Sequence, residues 1–195
     1  MKRSYALISP FYDSAVATAT RGQRERSLAA LPQVPAKVLI SGVGTGLDLP
    51  LLPPQHRYVG IDLTWAMLRR SLPRAAGLDF CCVQGDAQRL PFAGRSFDHA
   101  ILHLILAVLP DPVACLRETA RVVVPGGQVL IFDKFLQAGQ WAPLRRLVNP
   151  LVRRVATRLD VVFEQVLEKT PEFVVESDQP ALAGGWFRLI RLRRV

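Results

Sequence analysis

The stretch Val38-Leu39-Ile40-Ser41-Gly42-Val43-Gly44-Thr45-Gly46 decides how this chain folds. A short apolar run, Lys37–Ser41 with its leading lysine, passes directly into glycines spaced two apart. Such a run, bounded by turn residues, reads as a strand buried on both faces, as in a parallel sheet. Glycine permits the tight turn that follows and lets backbone N–H groups approach a ligand closely. A helix is expected after Gly46, and its N-terminus would favour an anionic group such as a carboxylate or phosphate.

The segments that follow repeat this unit. Tyr58–Leu63 reads as a second strand and Thr64–Leu72 as a short helix with Thr64 as its N-cap. Leu78–Val83, His99–Leu106 and Gln128–Phe132 supply three more strands, the last entered through the turn Pro125-Gly126-Gly127. Between the latter two, Asp111–Val123 forms a helix with Pro112 in its first turn. Strands alternating with helices imply βαβ units and a mostly parallel sheet. Before this core, residues 5–31 read as one or two helices closed by Pro32 and Pro35. After it, Val161–Leu167 and Phe173–Glu176 carry weaker patterns, and Trp186–Leu192 alternates apolar and basic residues as a final strand.

Asp62 stands near the end of the second strand, twenty residues after Gly42. An acid there can accept hydrogen bonds from two ribose hydroxyls. It can equally serve as the carboxylate at the start of the Thr64 helix. A dinucleotide fingerprint wants glycine or alanine three residues after the second glycine, and that position is Leu47. No pyrophosphate is implied.

Half of the 195 residues are hydrophobic, which suits one domain with a substantial core. No apolar run is long enough to span a bilayer, and the start does not resemble a secretory signal, so a cytoplasmic protein is expected. Cys81 and Cys82 are adjacent and Cys115 stands apart, so no zinc-ligand spacing exists. The three histidines, His56, His99 and His103, make no metal site, and none is expected. The charge of +9 comes mostly from arginines at 21/24/26, 69/70/74, 145/146, 153/154/158 and 188–194. Such a balance favours an anionic partner, nucleic acid or membrane, or else decorates solvated helix faces.

Together the series Gly42-x-Gly44-x-Gly46, Gly60-Ile61-Asp62, Gly85-Asp86-Ala87, Leu90-Pro91-Phe92, Ser96-Phe97-Asp98 and Arg121-Val122-x-x-Pro125-Gly126-Gly127 resembles the class I S-adenosylmethionine-dependent methyltransferases of the UbiE-like group. These motifs span about residues 36–135. The resemblance implies a Rossmann-like α/β fold, a seven-stranded mostly parallel sheet with helices on both faces. It also implies S-adenosylmethionine as cofactor. Gly42, Val43, Gly44 and Gly46 would hold its methionine part, Asp62 its ribose with Leu63 alongside, and Asp86 its adenine amino group, flanked by Ala87. The strand end at Leu102 and His103 would line the donor and acceptor pocket. The chain departs from the group at Ile40, where an acid is usual.

Further pieces are similar to bacterial phosphatidylethanolamine N-methyltransferases. They are Gly46-Leu47-x-Leu49-Pro50-Leu51-x-Pro53-Pro54, Met67-Leu68-Arg69-Arg70, Pro110-Asp111-Pro112 and Gly185-Trp186-Phe187-x-Leu189-Ile190-Arg191. Leu104 replaces a tyrosine common in that family, and Asp133-Lys134 an asparagine–histidine pair. The expected reaction is methylation of a phospholipid amine. The alternatives are a quinone or other apolar small molecule, including a thiol, and a non-catalytic basic binding protein on the same fold. No Asn/Asp-Pro-Pro-aromatic box of base methyltransferases is present, which argues against a nucleic-acid substrate.

Methyl transfer from a sulfonium is an in-line displacement, so the protein chiefly aligns donor and acceptor. A base is needed only for an acceptor that arrives protonated. Candidates are His103, Asp133 and Tyr12. His103 either faces the pocket or is a satisfied core histidine, and Tyr12 either closes over the cofactor or packs against the sheet. One domain, 1–195, is expected: a helical flap over 1–35, the cofactor core over 36–135, and a substrate- and membrane-facing part over 136–195. In the last, Trp141, Leu144, Val148, Leu151, Val152, Val155 and Leu159 recur at helical spacing opposite five arginines. That stripe over 141–159 suits an anionic membrane face, here the inner one, or the ordinary packing of a helix on a sheet.

Overall fold

The computed structural model describes residues 18–136 and 161–195. Within them lie seven strands: β1 (Lys37–Ser41), β2 (Arg57–Asp62), β3 (Asp79–Gln84), β4 (His99–His103), β5 (Gln128–Lys134), β6 (Phe173–Leu182) and β7 (Phe187–Arg194). They form one sheet in the order β3-β2-β1-β4-β5-β7-β6. The first five are parallel, while β7 runs antiparallel to both β5 and β6. This is the mostly parallel, Rossmann-like sheet expected. Its strand order reverses between β1 and β4, the place where open α/β sheets receive ligands at the carboxyl ends of their strands.

Among the described residues the α-helices are α1 (residues 18–28), α2 (Trp65–Ser71), α3 (Pro112–Val122) and α4 (Phe163–Leu167). Alternation along each strand divides the core between the two faces of the sheet. Val38, Ile40, Ile101 and Leu130 pack with Leu28 of α1 and Leu68 of α2. Leu39, Leu102 and Ile131 pack with Leu116 of α3 and Phe163 of α4. Fully burying one such side chain contributes roughly 1.5–3 kcal/mol. The N-terminus of α3 is built as its sequence requires, with Pro112 in the first turn and the Asp111 carboxylate accepting from Ala114 N at 3.0 Å.

Two local expectations are corrected, and a third holds in position only. No α-helix follows the glycines. Leu49–Leu51 makes a single 3-10 turn, since Pro50, Pro53 and Pro54 remove the N–H groups that a longer helix needs. The dipole argument for an anion site at that point therefore lapses. Strand β4 ends at His103 rather than Leu106, because Leu104 takes a left-handed conformation (φ 56°) and turns the chain away. Thr64 occupies the N-cap of α2, but its side chain makes no capping hydrogen bond.

The arginines of the last strand also acquire a structural meaning. Arg188 pairs with Asp178 and Glu164, and Arg191 and Arg193 both reach Glu176. Arg194 donates to the Val123 carbonyl. This part of the positive charge zips β7 to β6 and to the neighbouring turn. Among the described residues no helix is long and apolar enough to cross a membrane.

Candidate functional site

The glycine loop leaves β1 at the switch point. Gly42 has φ +70°, and a Cβ there would sit 2.2 Å from Ile105 Cδ1, so both its conformation and its contact demand glycine. Gly44 has φ +56°, but a Cβ there would meet nothing nearer than a carbonyl at 3.9 Å. Among the described residues, space is therefore open beside Gly44. The loop's own N–H groups are largely engaged within the protein. Those of Gly42 and Val43 donate to Ile61 O, and that of Gly46 to Val43 O. The loop thus offers room more than a cradle of free donors.

Asp62 is the second element. Register places it opposite Gln84, which puts the end of β2 between the glycine loop and the Asp86 turn. Its Oδ2 accepts from Gly44 N at 3.0 Å and its Oδ1 from Thr64 N at 2.9 Å. Burial raises its pKa, and those two N–H groups partly offset that. The carboxylate at the helix start and the acid at the strand end are therefore one residue. Each oxygen keeps further accepting capacity for a hydroxyl. Beside it Leu63 is 53% exposed. Asp86 is half-buried and its Oδ1 accepts from both Gln88 N and Gln88 Nε2, while Ala87 is buried against the core.

Register across β1, β4 and β5 brings His103 and Asp133 to the same end of the sheet. Both are already hydrogen-bonded within the protein. His103 is buried, with Nδ1 2.9 Å from Asp48 Oδ1 and Nε2 2.9 Å from Ser27 Oγ. Arg24 donates to the same Asp48 oxygen at 2.8 Å. Burial opposes ionisation of Asp48, but His103 and Arg24 outweigh it and hold its pKa at about 2. Asp133 is buried and accepts from Ala107 N (3.0 Å) and Lys134 N (2.8 Å), and burial pushes its pKa up to about 6. Leu102 is fully buried, its side chain committed to the core rather than to a pocket wall. Tyr12 and the amphipathic stretch 141–159 lie outside the described residues.

Asp48, Arg24 and Ser27 carry no sequence signal that marks them. They are separated by up to twenty-four residues, and only the packing of α1 over the sheet joins them. Among the described residues no group of three or more His, Cys, Asp or Glu side chains could hold a metal.

Comparison with known proteins agrees with this geometry. The methyltransferase domain family matches residues 39–131. A phosphatidylethanolamine N-methyltransferase of Cereibacter sphaeroides is 29% identical over 94% of this chain and 92% of its own length. A demethylmenaquinone methyltransferase of Roseiflexus castenholzii is 33% identical over 79% of this chain and 70% of its own. Among solved structures, geranyl diphosphate C-methyltransferase of Streptomyces coelicolor, in complex with S-adenosyl-L-homocysteine, superposes with a TM-score of 0.74. That similarity covers 90% of this chain and 76% of the other at 15% identity, and shows a common fold.

Proposed function

The chain belongs to the S-adenosylmethionine-dependent methyltransferases, and from that membership we propose that it methylates the amine headgroup of a phospholipid such as phosphatidylethanolamine. The observation that carries this reading is the near end-to-end likeness to the phosphatidylethanolamine enzyme. The second reading, a quinone ring, is favoured by the somewhat higher identity of the demethylmenaquinone relative over a shorter share of both chains.

The residues present suit the cofactor. The open space at Gly44, the accepting capacity left on Asp62 and the exposed Leu63 lie together at the switch point. In this proposal Gly42, Val43, Gly44 and Gly46 hold the methionine part, Asp62 the ribose, and Asp86 with Ala87 the adenine. When bound, the cofactor supplies an electrophilic methyl group on a sulfonium. The protein's share is orientation and exclusion of water. An amine acceptor arrives largely as an ammonium and must lose a proton first. Among the described candidates, both ring nitrogens of His103 are hydrogen-bonded, and Asp133 is buried with each oxygen already accepting a backbone N–H. We therefore assign them to support of the acceptor end and expect the free-amine form of the acceptor to react. The basic stripe over 141–159 would bring the protein to an anionic membrane face.

The test is a radiolabelled methyl-donor assay on vesicles containing phosphatidylethanolamine, with a demethylated quinone and extracted nucleic acid as comparison arms. Label in the lipid amine, at a rate rising with pH, is the expected result. Label confined to the quinone would replace this acceptor with the second reading.

A further inference from the structure

Ser27, His103, Asp48 and Arg24 form a polar network whose members are each at least nine-tenths buried. It ties three pieces of chain that are remote in sequence: α1, the turn after the glycine loop, and the end of β4. Asp48 Oδ1 receives both Arg24 Nη1 at 2.8 Å and His103 Nδ1 at 2.9 Å. Arg24 is itself steadied by Nε donating to Thr20 Oγ1 at 2.9 Å.

The chemistry of the acid fixes the ring. An ionised carboxylate only accepts, so the proton between Asp48 and His103 sits on Nδ1. In the neutral ring Nε2 is then the acceptor, and the Ser27 hydroxyl donates to it. The other two histidines are set the opposite way. The backbone N–H of Ala36 donates to His56 Nδ1, and that of Gln128 donates to His99 Nδ1, both at 3.1 Å. Each of those neutral rings must carry its proton on Nε2.

The same two segments meet a second time. Two residues beyond His103, Ile105 packs its side chain against Gly42. Glycine loop and β4 end are thus joined at both ends of the loop, by Ile105 on Gly42 and by His103 on Asp48. Asp62 holds the middle through Gly44 N.

We propose that Asp48 and Ser27 are positioning residues that lock His103 in its Nδ1–H tautomer, and that Arg24, paired with the same acid, makes the docking of α1 a condition for a cofactor-ready glycine loop. Arg24 supplies the compensating charge without which Asp48 would be a lone buried anion, so α1 reaches the loop through that acid. The cofactor half of this inference rests on the site assignment made above. The tautomer half needs no ligand and stands or falls independently.

Ring-nitrogen NMR on the 15N-histidine-labelled full chain at neutral pH, together with calorimetry using S-adenosylhomocysteine, tests it. Wild-type protein should show one Nδ1–H ring and two Nε2–H rings. The paired variant Arg24→Met/Asp48→Leu removes both charges, so no buried ion is orphaned and the fold is retained. In it His103 should revert to Nε2–H, donating to Ser27, and cofactor affinity should fall roughly tenfold. Arg24→Met alone leaves Asp48 on the ring and should keep the tautomer while weakening cofactor binding. Three Nε2–H rings in the wild type would overturn the lock. Wild-type affinity in a folded paired variant would overturn the coupling, while Asp62→Ala, measured beside it, reports separately on the cofactor site.

Discussion

The carboxylate of Asp62 and the backbone N–H of Gly44 are hydrogen-bonded at 3.0 Å, so the acid at the end of β2 holds the glycine loop that leaves β1. One residue therefore shapes the loop and, in the proposed role, also binds ribose. Asp62→Ala should weaken S-adenosylhomocysteine binding by about 2–3 kcal/mol, the range for lost charge-assisted hydrogen bonds. Calorimetry on a variant whose thermal midpoint is still cooperative is the check. Unchanged affinity would remove Asp62 from the site.

Asp48 and Asp133 should give stability an acid-side maximum. The Asp48 pKa is lowered from 3.8 to about 2, so its contribution is complete above pH 4 and is lost as pH falls through 2. The shift corresponds to roughly 2 kcal/mol. The Asp133 pKa is raised from 3.8 to about 6, so its contribution is complete below about pH 4 and is lost as pH rises through 6. Chemical denaturation from pH 2 to 7 should show both limbs, and Asp48→Asn should flatten only the lower one.

Asp133→Asn should destabilise the protein even though it removes a buried charge. Both oxygens accept backbone N–H groups, and an amide can present only one acceptor while aiming its NH2 at the other donor. A loss of about 1–3 kcal/mol at neutral pH is expected, the cost of an unsatisfied buried group. The upper pH limb should vanish with it. A variant as stable as wild type at pH 7 would show that the two N–H contacts carry little weight.

Ile40, where the family resemblance implies an acid, is 1% exposed and packs among Val38, Leu28 and Leu49. Restoring the acid is therefore not a repair. Ile40→Glu should cost about 3 kcal/mol or more in stability, because the cluster around it is apolar and burying a carboxylate there is costly. Denaturant titration with and without S-adenosylhomocysteine would measure this. Tighter cofactor binding at unchanged stability would mean that the side chain reaches the site after all.

Membrane docking through 141–159 predicts flotation with liposomes that rises with anionic lipid and falls with salt, each arginine adding about 1 kcal/mol. Replacing Arg153, Arg154 and Arg158 by Gln should reduce it with cofactor binding intact. Replacing Arg191 and Arg193, already paired with Glu176, should leave flotation unchanged. Equal behaviour with neutral and anionic vesicles would remove the membrane from the proposal.

The sequence by itself determined the sheet, the order of its core elements and the class of chemistry. Those rest on local patterns: an apolar run such as Val38–Ile40 bounded by turn residues reads as a buried strand, Pro112 after Asp111 suits a helix start, and the glycines of 42–46 permit the turn at the switch point. Charge was less legible, since Arg188 looks like surface until β6 brings Asp178 beside it. The site's inner support was not legible at all. Arg24, Asp48 and His103 are spread over eighty residues with no shared spacing, and a carboxylate can meet its partners only after α1 has packed across the sheet. Periodicity and spacing report on neighbours along the chain. Tertiary packing alone decides which buried charge meets which, because burial removes the water that would otherwise satisfy each separately.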